Sequence, residues 1–525
     1  MPTQTTAAQG CAFFSETPAR IFTPEDFSSD EKLMIDTAEQ FSRKEVVPLV
    51  EALEKQEGDL MPQLIRKAGE LGLCGVDSPE AYGGLGLGKN LAARMLEFLS
   101  LNASFSVTFG VTSGISQVGL ALFGTEEQKA QYLPKVTSGE WIGAYALSEP
   151  NAGTDALGGT TKAIRRGGKW VLNGTKMWIS NAKWAQLFLV MAKIDGEKFS
   201  AFLVERDHPG VSISREEHKM GLKGSSTARL ILDDAEIPAE NLLFEEGKGH
   251  VVALNALNMG RFKLSSMSLG PARDALGHSA GYALDRKQFR QPISEFGLIR
   301  QKFARMLALY FGAESMIYRT GALIDGAFAA TGGTFNGNRK AAEEFAVECS
   351  ACKVFSTEAE ATIIDDAMQV YGGYGFTEEF PIARHYRDSR ISRIYEGTNE
   401  INRLFIADRL MRRGAKGTAS LHAAGDSFIS ELAGKALETQ PKEQIPVAAC
   451  SELLMLAYSE QSARLRARQL RGLASEAYNL LLNTLNVRAA EAYGIATGEA
   501  VSLPPPQRVD WDALSNAAYE KKGPI

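Results

Sequence analysis

Apolar residues in this 525-residue chain repeat with two different periods, and the period changes twice along the sequence. Over residues 29–140 they recur every three or four positions. Leu33, Met34, Ala38 and Phe41 roughly follow the period of an amphipathic helix that Ser29 or Asp30 can cap. Similar patterns continue to Lys135, broken at the loop YGGLGLG over 82–88. No strand pattern precedes that loop and its spacing is not that of a dinucleotide fingerprint, so it reads as a turn between helices. Near Trp141 the period drops to two. The runs KWVLNGTKMWIS, AQLFLVMAKI, FSAFLVER, VSISREE and ARLILDDAEI are short strands, separated by turn pairs such as Gly167-Gly168 and Asp195-Gly196. Residues 141–248 therefore predict a small β-barrel or sandwich. From 249 to 413 the helical period returns: Phe296, Ile299, Phe303, Met306 and Tyr310 step by three and four along a face that needs partner helices. Three or four such helices, with the Gly/Asn-rich loop 331–338 between two of them, predict a helical bundle. The extension 414–525 carries a last helical stretch over about 446–495 and a Pro-rich segment at 503–506. Residues 1–28 show no period and read as a flexible tail.

The expected fold is thus mostly α with a central β-domain: tail 1–28, N-terminal helical domain 29–140, β-domain 141–248, C-terminal helical bundle 249–413, helical extension 414–525. Composition agrees with several globular units, at 44% hydrophobic and 23% charged residues. A net charge of -6 and a pI near 5.8 argue against a nucleic-acid partner. Five cysteines are few and unpatterned. Cys349 and Cys352 form a CxxC inside the helix-patterned run AAEEFAVECSACKVF, and no second Cys or His pair completes a metal site. They read as small buried helix residues, and no metal is expected. No apolar run reaches the roughly 18 residues that span a bilayer. The first thirty residues hold one basic residue, Arg20, against Glu16, Glu25, Asp26 and Asp30, unlike basic targeting segments. The expected location is the cytoplasm.

The chemistry concentrates in the stretch 369–403, QVYGGYGFTEEFPIARHYRDSRISRIYEGTNEINR. Glycines Gly372, Gly373 and Gly375 let a backbone approach a flat ligand closely. Tyr371, Tyr374, Phe376, Tyr386 and Tyr395 add aromatic surface, and Arg384, Arg387, Arg390 and Arg393 can neutralise phosphates. Glu396 follows them in Tyr395-Glu396-Gly397-Thr398. Earlier in the chain stand AYALSEPNAGTD (144–155), KMWISN (176–181), NMGRF (258–262) and DRKQF (285–289) followed by Phe296-Gly297-Leu298-Ile299.

Together these motifs resemble those of the acyl-CoA dehydrogenases, flavoenzymes that desaturate fatty acyl thioesters, over about residues 30–413. The resemblance implies an order of domains matching the one above. It implies FAD as cofactor, acyl-CoA as substrate and an electron-transfer flavoprotein as acceptor. Glu396 matches the catalytic base. Tyr145, Leu147, Ser148 and Thr154, then Trp178, Ile179 and Ser180, match positions around the flavin. Arg286, Gln288, Phe289, Gln369, Gly372 and Gly373 match positions that reach a neighbouring subunit's FAD, so a homodimer is expected, with the family's tetramer as the alternative. Thr398 matches a position by the adenosine phosphates; Glu400 does too, although a carboxylate suits phosphate poorly. Thr154, Asn258, Arg261, Tyr395 and Gly397 match substrate contacts. The Phe-Gly-Leu-Ile form and the helical extension look like the very-long-chain branch.

The reaction that this implies removes an α-proton and a β-hydride. A thioester α-proton is far too weak an acid for a carboxylate in water. Burial would raise the base's pKa, and donors on the thioester oxygen would stabilise the enolate-like charge. FAD supplies the hydride acceptor. An oxidase or monooxygenase on the same fold, or a non-catalytic assembly protein, are the competing readings; a retained Glu396 counts against both. In the extension, Arg464, Arg466, Arg468 and Arg471 with Leu465 and Leu470 suggest either a solvated helix face or weak, reversible contact with an anionic membrane.

Overall fold

The computed structural model describes residues 9–420 and 427–521. The described chain divides into two compact units, one built from Ser29–Lys263 with Thr331–Glu343, the other from the remainder.

The chain begins with a short helix α1 (Ala12–Ser15). Residues 9–28 are not the flexible tail expected from the lack of period. Phe13, Phe14, Ile21 and Phe27 are buried, and the Phe13 ring lies 4.5 Å from that of Tyr458. Gln469 exchanges two 3.2 Å hydrogen bonds with the Ile21 backbone. An irregular segment that follows a groove buries side chains wherever the groove requires, so its burial leaves no periodic trace. Residues 1–8 lie outside the described residues.

Helices α2 (Ser29–Phe41), α3 (Val50–Glu54), α4 (Leu60–Glu70), α5 (Lys89–Leu99), α6 (Ala103–Gly110), α7 (Gln117–Phe123) and α8 (Glu126–Thr137) follow. Thr125 starts α8 with a reciprocal capping box to Gln128. A wide helical turn over Val111–Ser116 joins α6 to α7, giving a continuous helix Ala103–Phe123 long and apolar enough to cross a membrane. The sequence reading missed it because serines, threonines and glycines dilute the run. Most of it is buried within the protein, as a core helix is.

Among the described residues eight strands form one sheet in the order β6-β7-β3-β2-β4-β5-β8, with β1 alongside β4. They are β1 (Gly143–Ala146), β2 (Lys162–Arg166), β3 (Lys169–Ser180), β4 (Leu187–Ile194), β5 (Lys198–Glu205), β6 (Val211–Ile213), β7 (Thr227–Pro238) and β8 (Leu242–Leu243). β4 and β5 are buried almost throughout, so they read as continuous apolar runs rather than alternating ones.

Then come α9 (Gly249–Asp285), the hairpin β9 (Lys287–Gln288) and β10 (Gln291–Pro292), and α10 (Gly297–Ala330). The Gly/Asn-rich segment gives way to α11 (Phe335–Glu344), whose Arg339 stacks 4.4 Å from the Phe244 ring. α12 (Ala346–Tyr371), α13 (Pro381–Ser389) and α14 (Asn399–Ala415) complete the bundle. Cys349 and Cys352 are buried in α12, and burial pushes the Cys352 thiol up to about 12.

The extension contains α15 (Phe428–Glu438), α16 (Gln444–Leu470), α17 (Leu473–Thr497) and α18 (Trp511–Lys521). α16 contradicts the basic membrane face. Arg466 is buried, bonds Glu314 and Glu25 at 2.6 Å each and covers the Phe311 ring. Arg464 pairs with Glu460 at 2.9 Å. Only Arg468 and Arg471 of the four are exposed, so the arginines serve packing rather than a lipid surface.

The N-terminal segment is fastened through a buried acid. Glu348 in α12 accepts the Cys11 N–H. Burial pushes its carboxyl up to about 7, against the weaker downward pull of the Cys11 amide and Arg413. A folded pKa above the unfolded value of about 4.5 means stability is fully present below pH 4.5 and is lost as pH rises through 7. Thermal melts of Glu348→Gln, which keeps the acceptor but cannot ionise, should show a gain on the order of 2 kcal/mol at pH 8 and little change near pH 5. An equal effect at both pH values would refute the ionisation.

Candidate active site

In the β-domain the site begins with a defect. β3 pairs with β7, but the register slips between Lys176 and Ile179. A bulge re-aims the side chain it carries. Here Trp178 takes a left-handed φ of 57° and leaves its ring 57% exposed, while Ile179 beside it is buried. The Met177 N–H donates to the Ser148 carbonyl at 2.9 Å. The fold thereby joins the two motifs around Ser148 and Trp178. Tyr145 lies on β1 opposite Leu189. Leu147, Ser148 and Ser180 are half-buried, and Thr154 is exposed on the loop beyond.

Two residues of these motifs act behind the wall. Lys176 is 1% exposed; its ammonium donates to Glu149 at 2.7 Å and to the Leu147 carbonyl at 3.1 Å. Glu149 also accepts the backbone N–H groups of Thr160 and Thr161. Burial alone would raise the Glu149 carboxyl, but Lys176 and these donors hold it down at about 2. Asn181, left-handed at φ 67°, donates to the carbonyls of Thr108 and Gly143, tying the end of β3 to α6 and β1. Asn258 and Arg261 lie one turn apart on α9, both buried, with Arg261 donating to Asn258 at 3.4 Å.

In the other unit, Glu396 and Gly397 are consecutive left-handed residues, at φ 58° and 80°. Gly397 adopts this freely; for Glu396 it costs on the order of 1 kcal/mol, and such strain persists only where surroundings over-determine it. They do. The Asn402 amide donates to the carbonyls of Glu396, Gly397 and Thr398 at 3.4, 2.9 and 3.0 Å. Lys353, buried in α12, donates to the Gly397 carbonyl at 2.9 Å and to the Asn399 side chain at 2.6 Å. The Thr398 hydroxyl caps α14 by accepting the Ile401 N–H. Glu400 is exposed in the first turn of α14, where backbone N–H groups and Thr398 lower its carboxyl. That placement suits an anion at a helix N-terminus and explains the residue without a phosphate. Burial and the Glu360 carboxyl push the Tyr395 phenol up, so it stays neutral.

A second set gathers around the β9–β10 hairpin. Its two-residue tip, Phe289-Arg290, is left-handed at both positions, a conformation favouring Asn-Gly. Phe289 is consequently 89% exposed. Arg286 lies 5.5 Å from the Tyr374 ring. Gln288, Gln369, Gly372 and Gly373 are exposed.

The residues of the β-domain fit FAD. Ser148 and Ser180 offer hydroxyls, Trp178 a free planar face, and the one buried carboxylate of the wall is neutralised by Lys176. A planar uncharged ring needs such a surface. The β-domain thus offers a neutral surface that suits a flavin, and in its own unit Glu396 stands on a strained and clamped turn. Family models agree: the acyl-CoA dehydrogenase N-terminal, middle and C-terminal domains match residues 28–140, 144–235 and 247–411. A probable acyl-CoA dehydrogenase of Bacillus subtilis is 46% identical over 79% of this chain and 70% of its own. The human short-chain specific enzyme is 38% identical over 73% and 90%, and the human very long-chain specific enzyme 39% identical over 64% and 51%. An acyl-CoA dehydrogenase of Bacillus anthracis, solved in complex with FAD, superposes with a TM-score of 0.90 at 39% identity, covering 99% of this chain and all of that one. The chain belongs to the acyl-CoA dehydrogenase family.

The sequence reading passed over Lys353, Asn399 and Asn402, and quoted Glu149 and Lys176 without giving them a role. One signal was available: Lys353 is the single charge in the otherwise apolar and small run CSACKVF, and a lone buried charge needs a partner.

Glu149→Gln would leave the Lys176 ammonium buried without its counter-charge. We expect a loss on the order of 3 kcal/mol in thermal or urea unfolding, accompanied by release of FAD. In the wild type the pair's contribution is present above the unfolded pKa of 4.5 and is lost as pH falls from there through about 2. A Gln variant with unchanged melting and flavin content would show that the pair does not support the wall.

Proposed function

We propose that this enzyme carries out α,β-dehydrogenation of long-chain fatty acyl-CoA to trans-2-enoyl-CoA in β-oxidation, passing electrons to an electron-transfer flavoprotein. The observation that carries the reaction is Glu396, a carboxylate held on an over-determined left-handed turn. Its side chain takes the α-proton, while its backbone N–H serves the thioester oxygen. Bound FAD supplies the acceptor for the β-hydride. Ser148, Trp178 and Ser180 orient the cofactor and keep water from the ring; Thr154, Asn258 and Arg261 serve the acyl-CoA. Preference for long chains is supported by Phe296-Gly297-Leu298-Ile299 and by the helices α15 to α18, features of the very-long-chain branch. Buried thiols at all five cysteines suit the cytoplasm.

We expect Glu396→Gln to keep FAD and acyl-CoA binding but to reduce flavin bleaching by long-chain acyl-CoA by at least about 10³-fold, since the amide cannot accept a proton. Stopped-flow absorbance under anaerobic conditions measures it. Bleaching at a near wild-type rate would place the base elsewhere.

The proposed working unit is a homodimer. Phe289, Leu298 and Phe376 are 89%, 77% and 86% exposed, close in sequence to Arg286 and Gln369. Large apolar side chains left this exposed favour burial against a partner surface. Light scattering should give a dimer mass, and Phe289→Asp should yield monomers that lose FAD. A flavin-saturated monomeric wild type would contradict this.

A further inference from the structure

The four extension helices have so far no task in the reaction. The contacts of α14 give them one. Glu358 of α12 and Glu452 of α16 alternate with Arg403 of α14 and Arg488 of α17 in a square of two anions and two cations. Arg403 reaches Glu358 at 2.8 Å and Glu452 at 2.7 Å. Arg488 reaches Glu358 at 3.3 Å and also pairs with Glu452. The square is formally neutral, and each extension residue in it pairs with one bundle residue and with the other extension residue. Next to it, the Ser451 hydroxyl accepts the Ala407 N–H at 2.9 Å and donates to the Arg403 carbonyl. In an undisturbed helix that amide and that carbonyl would bond each other. A side chain from the extension has been inserted into the ladder of α14.

The catalytic turn is suspended from this part of α14. The Asn399 amide donates to Glu358 at 3.2 Å, and its carbonyl receives Lys353, which also holds the Gly397 carbonyl. Asn402, one residue before Arg403, binds three successive carbonyls of the turn. A continuous chain of charged and amide groups therefore runs from Arg488 and Glu452 to the peptide after Glu396. A left-handed residue without glycine's freedom needs such external definition.

We propose that the C-terminal extension is a positioning element for the catalytic base: Ser451, Glu452 and Arg488 fix the first turns of α14, and Asn399, Asn402 and Lys353 transmit that placement to Glu396. These are positioning residues; of the residues in this network, Glu396 is the one that meets the substrate. The inference rests on the reading of Glu396 as the base.

The test uses the full-length holoenzyme and the variants Arg488→Gln, Glu452→Gln and their charge-conserving double, with Arg488→Lys as a conservative control. Arg488 has a side chain 30% exposed, so its replacement opens no core. FAD content, melting temperature and acyl-CoA affinity are measured first, then the anaerobic rate of flavin reduction with normal and α-deuterated long-chain acyl-CoA. Each Gln variant should reduce flavin between about 10- and 100-fold more slowly at unchanged flavin content and affinity. The double should be no slower than the singles, because both break one network. The α-deuterium isotope effect should rise as proton removal becomes more limiting, and Arg488→Lys should recover part of the rate. Rates that fall only in step with lost flavin or lost fold, or an unchanged isotope effect, overturn the proposal. A wild type that acyl-CoA does not bleach would instead overturn the underlying reaction, whereas a bleaching wild type matched by its Gln variants overturns the positioning role alone.

Discussion

Glu396, the carboxylate proposed as the base, is held in a backbone conformation that its own side chain disfavours. Glu396 and Gly397 turn left-handed in succession, and nothing local to the tetrapeptide enforces this. The enforcement comes from a buried ammonium, Lys353, and an amide, Asn402, that together occupy the carbonyls of the turn. A buried ammonium is costly without partners. Lys353 meets that demand with the Gly397 carbonyl and Asn399, so the same bonds that satisfy the charge define the turn. Relaxing the turn would leave Lys353 poorly solvated, and this couples the geometry of Glu396 to the stability of the bundle.

The β-domain uses the same device. Glu149 and Lys176 form a buried pair whose remaining capacity is used up by the Leu147 carbonyl and the amides of Thr160 and Thr161. The wall in front is thereby left neutral, as a flavin ring requires, although two charges lie directly behind it. The bulge at Met177-Trp178 then exposes an indole that regular pairing would have turned with the strand. In both places a left-handed residue, Trp178 or Glu396, is backed by a buried ammonium, Lys176 or Lys353, that is hydrogen-bonded one layer back.

The termini are integral to this arrangement. Residues 9–28 pack in their own unit against α16, and α16 returns Arg466 to Glu25 and Glu314. The basic stretch that suggests a lipid surface in one dimension is, in three, mostly internal neutralisation. An arginine in a helix carries no mark of which way it faces; that depends on whether an acid from elsewhere waits for it.

What the sequence by itself determined is the order of elements and the family to which the chain belongs. Periods of 3.6 and 2 arise from local backbone geometry, so the change near Trp141 and its reversal after Gly249 were legible without any fold. The motifs around Ser148, Trp178 and Glu396 were legible as marks of the family because each is a short run of particular residue types. Tertiary structure alone decided the rest. The burial of residues 9–28 depends on a groove made by distant helices. The helix Ala103–Phe123 was hidden because serines, threonines and glycines dilute its apolar run, and only the fold shows that it is buried. The support of Glu396 by Lys353, Glu452 and Arg488 joins positions far apart in the chain. Long-range pairing of charges has no periodicity, since an ion pair is set by distance in space, and the sequence records only the residues that the fold later brings within reach.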